Sequence, residues 1–167
     1  MKLEARDISE YKVELMQENF NRCHLNKAKA VAWDALEPDE RWLGQADVVI
    51  ADIPCSGLGV IGRKRDIKYK MTPQAVQDIV ELQEKILKVA ASYVKKGGKL
   101  LFSTCTVNKD ENEAHVKWIQ DTLKMTPVSL NGTLPGLVHS RTTQQGFVQL
   151  IPGMQDTDGF FISVFEK

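Results

Sequence analysis

The feature that most constrains the fold is a regular alternation of short apolar segments with helical segments. Residues 3–6 and 30–33 have strand character, and a helical segment capped by Ser9 separates them and runs to about Cys23. A third run, 47–51, indicates a strand buried on both faces. This alternation is typical of a parallel sheet covered by helices, so the sequence predicts an α/β fold.

The second half of the chain continues the pattern and closes it with antiparallel strands. A long helix is capped by Thr72 and is predicted to continue until Gly97-Gly98 stops it, with a strand at 99–103. Asp110 and Glu113 have the spacing of a capping box for the next helix. A closing antiparallel pair of strands is predicted at residues 147–151 and 160–165.

Composition excludes several classes of protein. A length of 167 residues favours a single domain. The 22 basic and 22 acidic side chains give zero net charge, so a charged partner would have to bind a local patch of charge. Apolar runs such as 46–51 are too short to cross a membrane, and the start lacks a signal-peptide stretch, so no membrane partner and a cytoplasmic location are expected. Three cysteines and three scattered histidines lack metal-ligand spacing, so no metal is expected.

Four reactive side chains follow the ends of predicted strands. They are Asp7, Asp34, Asp52 and Cys105. Parallel strands joined by right-handed crossovers place their carboxyl ends at one edge of the sheet, where ligands bind. An aspartate after a strand also caps the next helix, which is the better interpretation for Asp7 or Asp34 taken singly. For the whole set a ligand site is favoured.

The strongest single signal is the segment DIPCSG, which begins at Asp52 and contains Cys55. A carboxylate, a rigid proline, a thiol and a glycine directly after a strand make a loop whose backbone can approach a flat ligand. A buried structural cysteine before a turn is the alternative. A second thiol, Cys105, ends the next strand in the segment STCT, and this favours the functional interpretation.

These motifs resemble those of a known family. DIPCSG and STCT, with DIKY after the first and ENE after the second, are similar to the RNA cytosine-5 methyltransferases, and within them to the bacterial small-subunit ribosomal RNA enzymes of the Sun/Fmu (RsmB) type. The closing DTDGFFIS resembles the C-terminal strand motif of that family, and the similarity covers essentially the whole chain. The resemblance implies a Rossmann-like sheet of an S-adenosylmethionine-dependent methyltransferase, mostly parallel with an antiparallel C-terminal strand.

The resemblance also implies roles for individual residues. Carbon 5 of cytosine is a poor nucleophile until a thiolate adds to carbon 6, and in the family this nucleophile corresponds to Cys105. The family assigns product release to the thiol that corresponds to Cys55. Asp52 would contact either the methionine amine of the cofactor or the cytosine ring. Asp7 would accept the ribose hydroxyls of S-adenosylmethionine, and Asp34 would face its adenine amino group.

One loop concentrates positive charge in this neutral protein. Residues 63–70 contain five cations and one aromatic side chain. The residues proposed to bind RNA are Arg63, Lys64, Arg65, Lys68 and Tyr69. A solvated surface loop is the alternative, but beside a cytosine pocket a phosphate footprint with a stacking ring on small-subunit ribosomal RNA is favoured. The target base would have to swing out of its stack to reach Cys105.

The family has a first strand and a glycine-rich cofactor loop before the strand that ends at Asp7, and only six residues precede Asp7 here. Residues 1–167 are therefore expected to be a truncated catalytic domain that binds S-adenosylmethionine weakly or not at all. The strands ending at Asp7 and Asp52 are expected to pair directly or to exchange strands in a homodimer. Two other functions stay open: a base-amino methyltransferase, which needs no thiol at Cys105, and a non-catalytic module that binds RNA or a partner.

Overall fold

The computed structural model describes residues 2–133 and 141–167, and its contacts divide the chain into two compact units. The first is Met1–Asp39 and the second is Glu40–Lys167. The assignment of the whole chain to a single domain stays a prediction. No helix within the described ranges is long and apolar enough to cross a membrane. His139 and part of the irregular segment expected at 126–145 lie outside the described residues.

The first unit is one β-α-β element. Strand β1 (Leu3–Asp7), helix α1 (Glu10–Arg22) and strand β2 (Ala28–Ala32) follow in order, and the two strands pair in parallel with Asp7 opposite Ala32. Strand β2 begins two residues earlier than the sequence predicts. The apolar side of α1 is half-buried rather than buried, because only two strands lie beneath it.

The second unit is a five-stranded sheet with helices. Its strands are β3 (Ala46–Asp52), β4 (Val94–Thr104), β5 (Thr126–Pro127), β6 (Phe147–Leu150) and β7 (Phe160–Glu166), and its helices are α2 (Ile67–Lys70), α3 (Pro73–Tyr93), α4 (Glu113–Leu123) and α5 (Arg141–Gln144). The order is β3-β4-β7-β5, with β6 also paired to β7. β3 and β4 are parallel, and β7 runs antiparallel to β4. The predicted α/β fold with an antiparallel C-terminal strand is confirmed.

A continuous apolar core joins this sheet to helices α3 and α4. Alternate residues of β4 point into it, and apolar residues three and four apart do the same on the helices, because strands and helices repeat with those periods. Its fully buried members are Leu87, Val94, Leu100, Phe102, Ile119, Phe161 and Phe165. The Phe102 and Phe161 rings lie 5.7 Å apart between neighbouring strands. This core holds β4, and thereby the residues that follow it, in a fixed position.

The prediction that β3 is buried on both faces is wrong. Val48 is 58% exposed and Ile50 is 69% exposed, whereas Ala51 is buried. Successive side chains of a strand point to opposite faces, and helix α3 packs against one face of β3. Among the described strands, β3 pairs with β4 alone. Direct pairing of β3 with β1, one of the two expected arrangements, does not occur among the described residues. Exchange of a strand between two copies stays a prediction.

The long helix ends earlier than its glycine pair indicates. Helix α3 stops at Tyr93, and Gly97 and Gly98 lie inside β4. Gly97 has φ +73°, and its N–H donates to the carbonyl of Lys167 at 2.7 Å. A Cβ on Gly98 would lie 2.9 Å from the carbonyl oxygen of Ala46. The glycines therefore accommodate a close approach of strands rather than stopping a helix.

The predicted capping box at Asp110 and Glu113 is also wrong. Helix α4 begins at Glu113, with Asn112 in the capping position. Glu111 and Asn112 are fully buried and form hydrogen bonds with residues elsewhere in the fold. Because these two side chains turn inward before the helix begins, its first turn starts three residues after Asp110.

A buried histidine connects helices α3 and α4. His115 is 1% exposed, and its Nε2 lies 2.8 Å from Oε1 of Gln83. The amide nitrogen of Gln83 donates to the carbonyl of Pro54 and to Glu111, so its oxygen accepts from His115 Nε2–H. Burial lowers the pKa of His115 from 6.5 to about 4, which keeps the ring neutral at physiological pH.

This histidine should make stability depend on pH. The unfolded chain takes up a proton at His115 below about pH 6.5, whereas the folded chain does so only near the pKa of about 4. The free energy of unfolding should therefore fall by about 3 kcal/mol from His115 alone as the pH drops through that interval. Urea unfolding at a series of pH values measures the slope. His115→Gln should flatten it, and His24→Asn, at an exposed site, should leave it unchanged; equal slopes in all three proteins would contradict this origin.

Candidate active site

The parallel pairing of β3 with β4 brings two distant thiols together. Asp52 lies opposite Ser103 in the ladder, and Cys55 and Cys105 follow these residues by three and two positions. The two sulfur atoms are 3.3 Å apart, and both cysteines are half-buried and free. Fifty residues of sequence separate them, so the pairing of the strands, and not closeness in sequence, brings the two loops to the same edge of the sheet.

The environment of Cys55 keeps its thiol protonated. Burial, and then the hydrogen bond and charge of Cys105, raise the pKa of Cys55 to about 12. Two thiolates in contact repel each other, so ionisation of both is unfavourable. At neutral pH Cys55 therefore stays protonated. Either sulfur can be the donor in the 3.3 Å contact, so a proton can be shared between the two thiols.

Asp52 lies at the same edge of the sheet as the two thiols. It is the last residue of β3 and is exposed. Its Oδ1 accepts a hydrogen bond from the Ser103 hydroxyl at 3.1 Å, which links the ends of β3 and β4. The carboxylate is therefore oriented by the neighbouring strand while it stays accessible to a ligand.

The two other aspartates belong to the first unit. Oδ1 of Asp7 accepts from the Ser9 N–H at 2.9 Å, and Lys12 lies 3.1 Å from Oδ2. The Ser9 hydrogen bond, followed by Lys12, lowers the pKa of Asp7, so the carboxylate is ionised. Oδ1 of Asp34 accepts from the Leu36 N–H at 2.9 Å. Both side chains thus accept hydrogen bonds from backbone N–H groups two residues later, as expected for aspartates that cap the following segment.

Despite these hydrogen bonds to the local backbone, the carboxylates of Asp7 and Asp34 can still accept hydrogen bonds from a cofactor. Asp7 lies at the end of β1, and Asp34 lies two residues beyond the end of the parallel neighbour β2. Each carboxylate oxygen has two lone pairs, so a backbone N–H at one oxygen does not exhaust the group. Ribose hydroxyls and an adenine amino group are donors of the kind that these carboxylates can accept. Asp7 and Asp34 would hold the nucleoside part of S-adenosylmethionine.

Two glycines hold the Cys55 loop against Cys105. The Gly59 N–H donates to the Cys105 carbonyl at 3.1 Å, and the Gly159 N–H donates to the Gly59 carbonyl at 2.8 Å. A Cβ on Gly59 would lie 2.5 Å from the Gly159 oxygen and 2.8 Å from the Cys105 oxygen. Only glycine permits this approach, which gives a physical reason for glycine at both positions.

The basic loop is partly neutralised by acidic side chains. Arg63 pairs with Asp158 at 2.8 Å, and Lys70 pairs with Asp66 at 2.7 Å. Of the proposed RNA contacts, Lys64, Arg65 and Lys68 are exposed, and Tyr69 is 79% exposed. The Lys68 ammonium lies 4.7 Å from the centre of the Tyr69 ring. The loop therefore presents cations and one aromatic face to solvent.

Apolar packing places this loop next to the cysteines. Gly57, two residues after Cys55, has φ +70°, and a Cβ there would lie 3.0 Å from Cδ1 of Ile67. Ile67 opens helix α2 within the basic segment. The ion pair of Arg63 with Asp158 holds the start of the loop, and the packing of Ile67 against Gly57 holds its middle.

Sequence reasoning missed a buried polar cluster behind the thiols. Its members are Ser56, Gln83, Thr106, Glu111 and Asn112, all almost completely buried. Gln83 had a detectable signal, because a polar residue occupies a position of the apolar stripe of α3. The ENE motif supplied the second signal, since it contains Glu111 and Asn112. Neither signal identifies the partners, which come from four segments of the chain.

Comparison with known proteins assigns the family. The model of the 16S rRNA methyltransferase RsmB/F family matches residues 1–166. The chain belongs to this family. The proteins of this family are S-adenosylmethionine-dependent methyltransferases, as the resemblance implied.

Individual relatives agree with that assignment. The chain is 38% identical over 164 residues to the probable ribosomal RNA small subunit methyltransferase B of Bacillus subtilis, covering 96% of this chain and 36% of the relative. It is 28% identical to the ribosomal RNA small subunit methyltransferase F of Escherichia coli O7:K1, covering 98% of this chain and 34% of the relative. The chain thus spans about a third of the length of these curated relatives.

A solved structure shows the same fold. A methyltransferase homologue protein from Pyrococcus horikoshii is 25% identical and superimposes with a TM-score of 0.80, covering 99% of this chain and 53% of that one. The resemblance proposed from DIPCSG and STCT is therefore confirmed at the level of family and fold. The roles of individual site residues stay predictions.

The glycine contact should be essential for stability. Gly59→Ala places a methyl group against two backbone oxygens, at 2.5 and 2.8 Å, that cannot both move away. It should lower the free energy of unfolding by about 1–3 kcal/mol or more. Gly62→Ala is the matched control, because a Cβ there meets nothing within 4 Å. Denaturant unfolding measures both, and equal stabilities would contradict a tight contact.

The raised pKa of Cys55 should depend on Cys105. Cys105→Ala removes the hydrogen bond and the charge that contribute to the shift, while burial remains. The pKa of Cys55 should fall below about 12 yet stay above the ordinary 9.0. Alkylation of Cys55 by iodoacetamide at about pH 9 should accelerate by about tenfold for each pKa unit, since only the thiolate reacts. Peptide mass spectrometry measures it. Cys23→Ala should have no effect, and an unchanged rate in Cys105→Ala would contradict the coupling.

Proposed function

We propose that this chain carries the catalytic thiols of an enzyme that transfers a methyl group from S-adenosylmethionine to carbon 5 of a cytosine in small-subunit ribosomal RNA. The observation that carries the proposal is the 3.3 Å contact between the sulfur atoms of Cys55 and Cys105 at the carboxyl edge of the sheet. A base-amino methyltransferase has no use for a covalent thiol, whereas methylation at carbon 5 requires one to activate the ring.

In the proposed reaction Cys105 is the nucleophile. Its thiolate forms a bond to carbon 6, and the electron pair of the carbon 5–carbon 6 double bond moves to carbon 5. Carbon 5 would use this electron pair to bond the methyl group that S-adenosylmethionine supplies, and the electron pair of the broken sulfur–methyl bond would stay on the departing neutral thioether. Carbon 5 then loses its proton to a base, the double bond forms again, and the bond between carbon 6 and Cys105 breaks. Each bond made to the protein is broken by the end, so Cys105 is regenerated.

Cys55 and Asp52 would assist this sequence. Protonated Cys55 lies in contact with the Cys105 sulfur, where its proton can stabilise the departing thiolate as the adduct breaks. Asp52, oriented by Ser103, would contact the amine of the cofactor or the cytosine ring. The family resemblance assigns product release to Cys55, and its raised pKa supports a role as proton donor.

Asp7 and Asp34 would bind the nucleoside of S-adenosylmethionine through the oxygens that their backbone bonds leave available. Ionised carboxylates at the ends of parallel strands commonly accept ribose hydroxyls. We propose, on the same family grounds, that the protein acts in the cytoplasm, where ribosomal RNA and a reducing environment for free thiols occur together.

The exposed part of the basic loop would bind the RNA. Lys64, Arg65 and Lys68 can meet phosphates, and Tyr69 offers a stacking face. Arg63 is paired with Asp158, so its main role would be to hold the loop in place rather than to contact RNA. The target cytosine must leave its stack to reach the thiols, which a loop anchored beside the Cys55 segment could stabilise.

Covalent trapping tests the proposal. The matching third of the Bacillus subtilis relative is replaced by this chain, and the chimera is incubated with S-adenosylmethionine and small-subunit ribosomal RNA. Cys105→Ala should reduce methylation by at least about 1,000-fold and abolish the adduct with RNA containing 5-fluorocytosine. Cys55→Ser should accumulate an adduct with ordinary RNA, visible on a denaturing gel. Cys23→Ser, at an exposed cysteine, is the control.

The outcomes separate the competing functions. Methylation that persists in Cys105→Ala would overturn the proposal in favour of a base-amino methyltransferase. RNA retention without any methylation by the unmodified chimera would favour a non-catalytic module. Adduct formation that needs Cys105, combined with adduct accumulation in Cys55→Ser, supports the proposed assignment of both thiols.

A further inference from the structure

We infer that Glu111 is a positioning residue whose buried carboxylate sets the separation of the Cys55 and Cys105 sulfur atoms. Its contacts reach one residue beyond each thiol, so it ties the two thiol-bearing loops to a common point. The inference concerns the geometry of the thiol pair, and it rests on the proposed function only for its catalytic consequence.

Four hydrogen bonds surround the carboxylate of Glu111. The Ser56 N–H and the Gln83 amide donate to Oε2 at 2.8 and 3.1 Å. The Ser56 and Thr106 hydroxyls lie 2.5 and 3.4 Å from Oε1. A carboxylate has about four lone-pair sites and accepts only, so the group matches this set of donors in number and kind.

The partners of Glu111 are placed so that they act on the thiols. Ser56 directly follows Cys55, and Thr106 directly follows Cys105. Their hydroxyls lie 2.8 Å apart, in contact with each other as well as with Glu111. The β3–β4 ladder ends at Asp52 and Ser103, so this cluster continues the connection between the two segments beyond the sheet.

The burial of Glu111 indicates that this residue fixes the arrangement of the loops more than it stabilises the fold. Glu111 is 0% exposed, and each of the four donors on it is uncharged. Burial of an ionisable group among neutral donors stabilises a fold less than well-packed apolar side chains of similar volume. Such a group does supply several directional bonds that specify one arrangement of the loops around it.

Asn112 fixes the Cys105 side of the same pair. Its Oδ1 accepts from the Thr104 hydroxyl at 2.6 Å, and its Nδ2 donates to the Thr106 carbonyl at 3.0 Å. These contacts lie on either side of Cys105 in sequence. Asn112 therefore holds the Cys105 backbone, and the adjacent Glu111 sets the distance from it to the Cys55 loop.

The separation of the thiols can be measured through disulfide exchange. Oxidised glutathione reacts with the two thiols, so that one sulfur–sulfur bond forms between Cys55 and Cys105, the glutathione disulfide breaks, and the two protons pass to two molecules of reduced glutathione. The equilibrium constant gives the effective concentration of one thiol at the other, which depends steeply on their relative position. Acid quenching and peptide mass spectrometry of the full 167-residue chain distinguish this pair from Cys23.

Glu111→Ala should lower this equilibrium constant by about tenfold or more, because Ser56 and Thr106 lose their common acceptor. Glu111→Gln keeps an oxygen for the Ser56 N–H and Gln83, and its amide can donate to the two hydroxyls, so it should retain most of the constant. Glu113→Ala removes the exposed glutamate of the same motif and should match the unmodified chain.

A constant in Glu111→Ala equal to that of the unmodified chain would overturn the inference, and so would an equal loss in Glu113→Ala. If circular dichroism shows Glu111→Ala to be unfolded, Thr106→Val and Thr106→Ser decide. Only the valine, which lacks the hydroxyl, should lower the constant, and equal values would overturn the inference. The measurement needs neither RNA nor cofactor, so a failure of the proposed methyl transfer leaves its result unaffected.

Discussion

The in-register parallel pairing of β3 with β4 is the constraint on which the site depends. Parallel neighbours end at the same edge of a sheet, so residues shortly after Asp52 and Ser103 must emerge side by side. The apolar core beneath β4 fixes this edge relative to helices α3 and α4. The 3.3 Å contact of the two sulfurs is a consequence of that register, because a shift of one residue would move Asp52 away from Ser103 and displace both loops.

Beyond the end of the ladder, two different devices continue the alignment. On one side, backbone hydrogen bonds join Gly59 to Cys105 and to Gly159, which only residues without a side chain permit. On the other side, Glu111 accepts from the residues next to both cysteines. The close backbone contact excludes other positions of the two cysteine loops by steric clash, and the polar cluster excludes them through directional hydrogen bonds. Together these contacts fix the relative positions of the Cys55 and Cys105 loops, as hydrogen bonds fix neighbouring strands in the sheet.

The fold class and the thiol pair could be predicted from sequence because both follow from local patterns. Strand periodicity locates the ends of β3 and β4, and topology then brings Cys55 and Cys105 together. The polar cluster could not be predicted, since the partners of Glu111 come from distant segments and satisfy one another only in the folded chain. The same long-range contacts explain the failed capping box at Asp110, because the inward turn of Glu111 and Asn112 overrides the local signal.

The basic loop shows why a count of charges is a poor guide to an interface. Five cations lie within residues 63–70, yet Asp158 and Asp66 pair with Arg63 and Lys70. Exposed ion pairs of this kind contribute little to stability, but they orient the loop and reduce its net charge. Lys68 lies over the Tyr69 ring, and Lys64 and Arg65 are exposed in the same loop. In the RNA complex proposed above, attraction to phosphate and stacking of a base would coincide in this loop, which would suit a single-stranded or unstacked RNA segment better than a regular duplex.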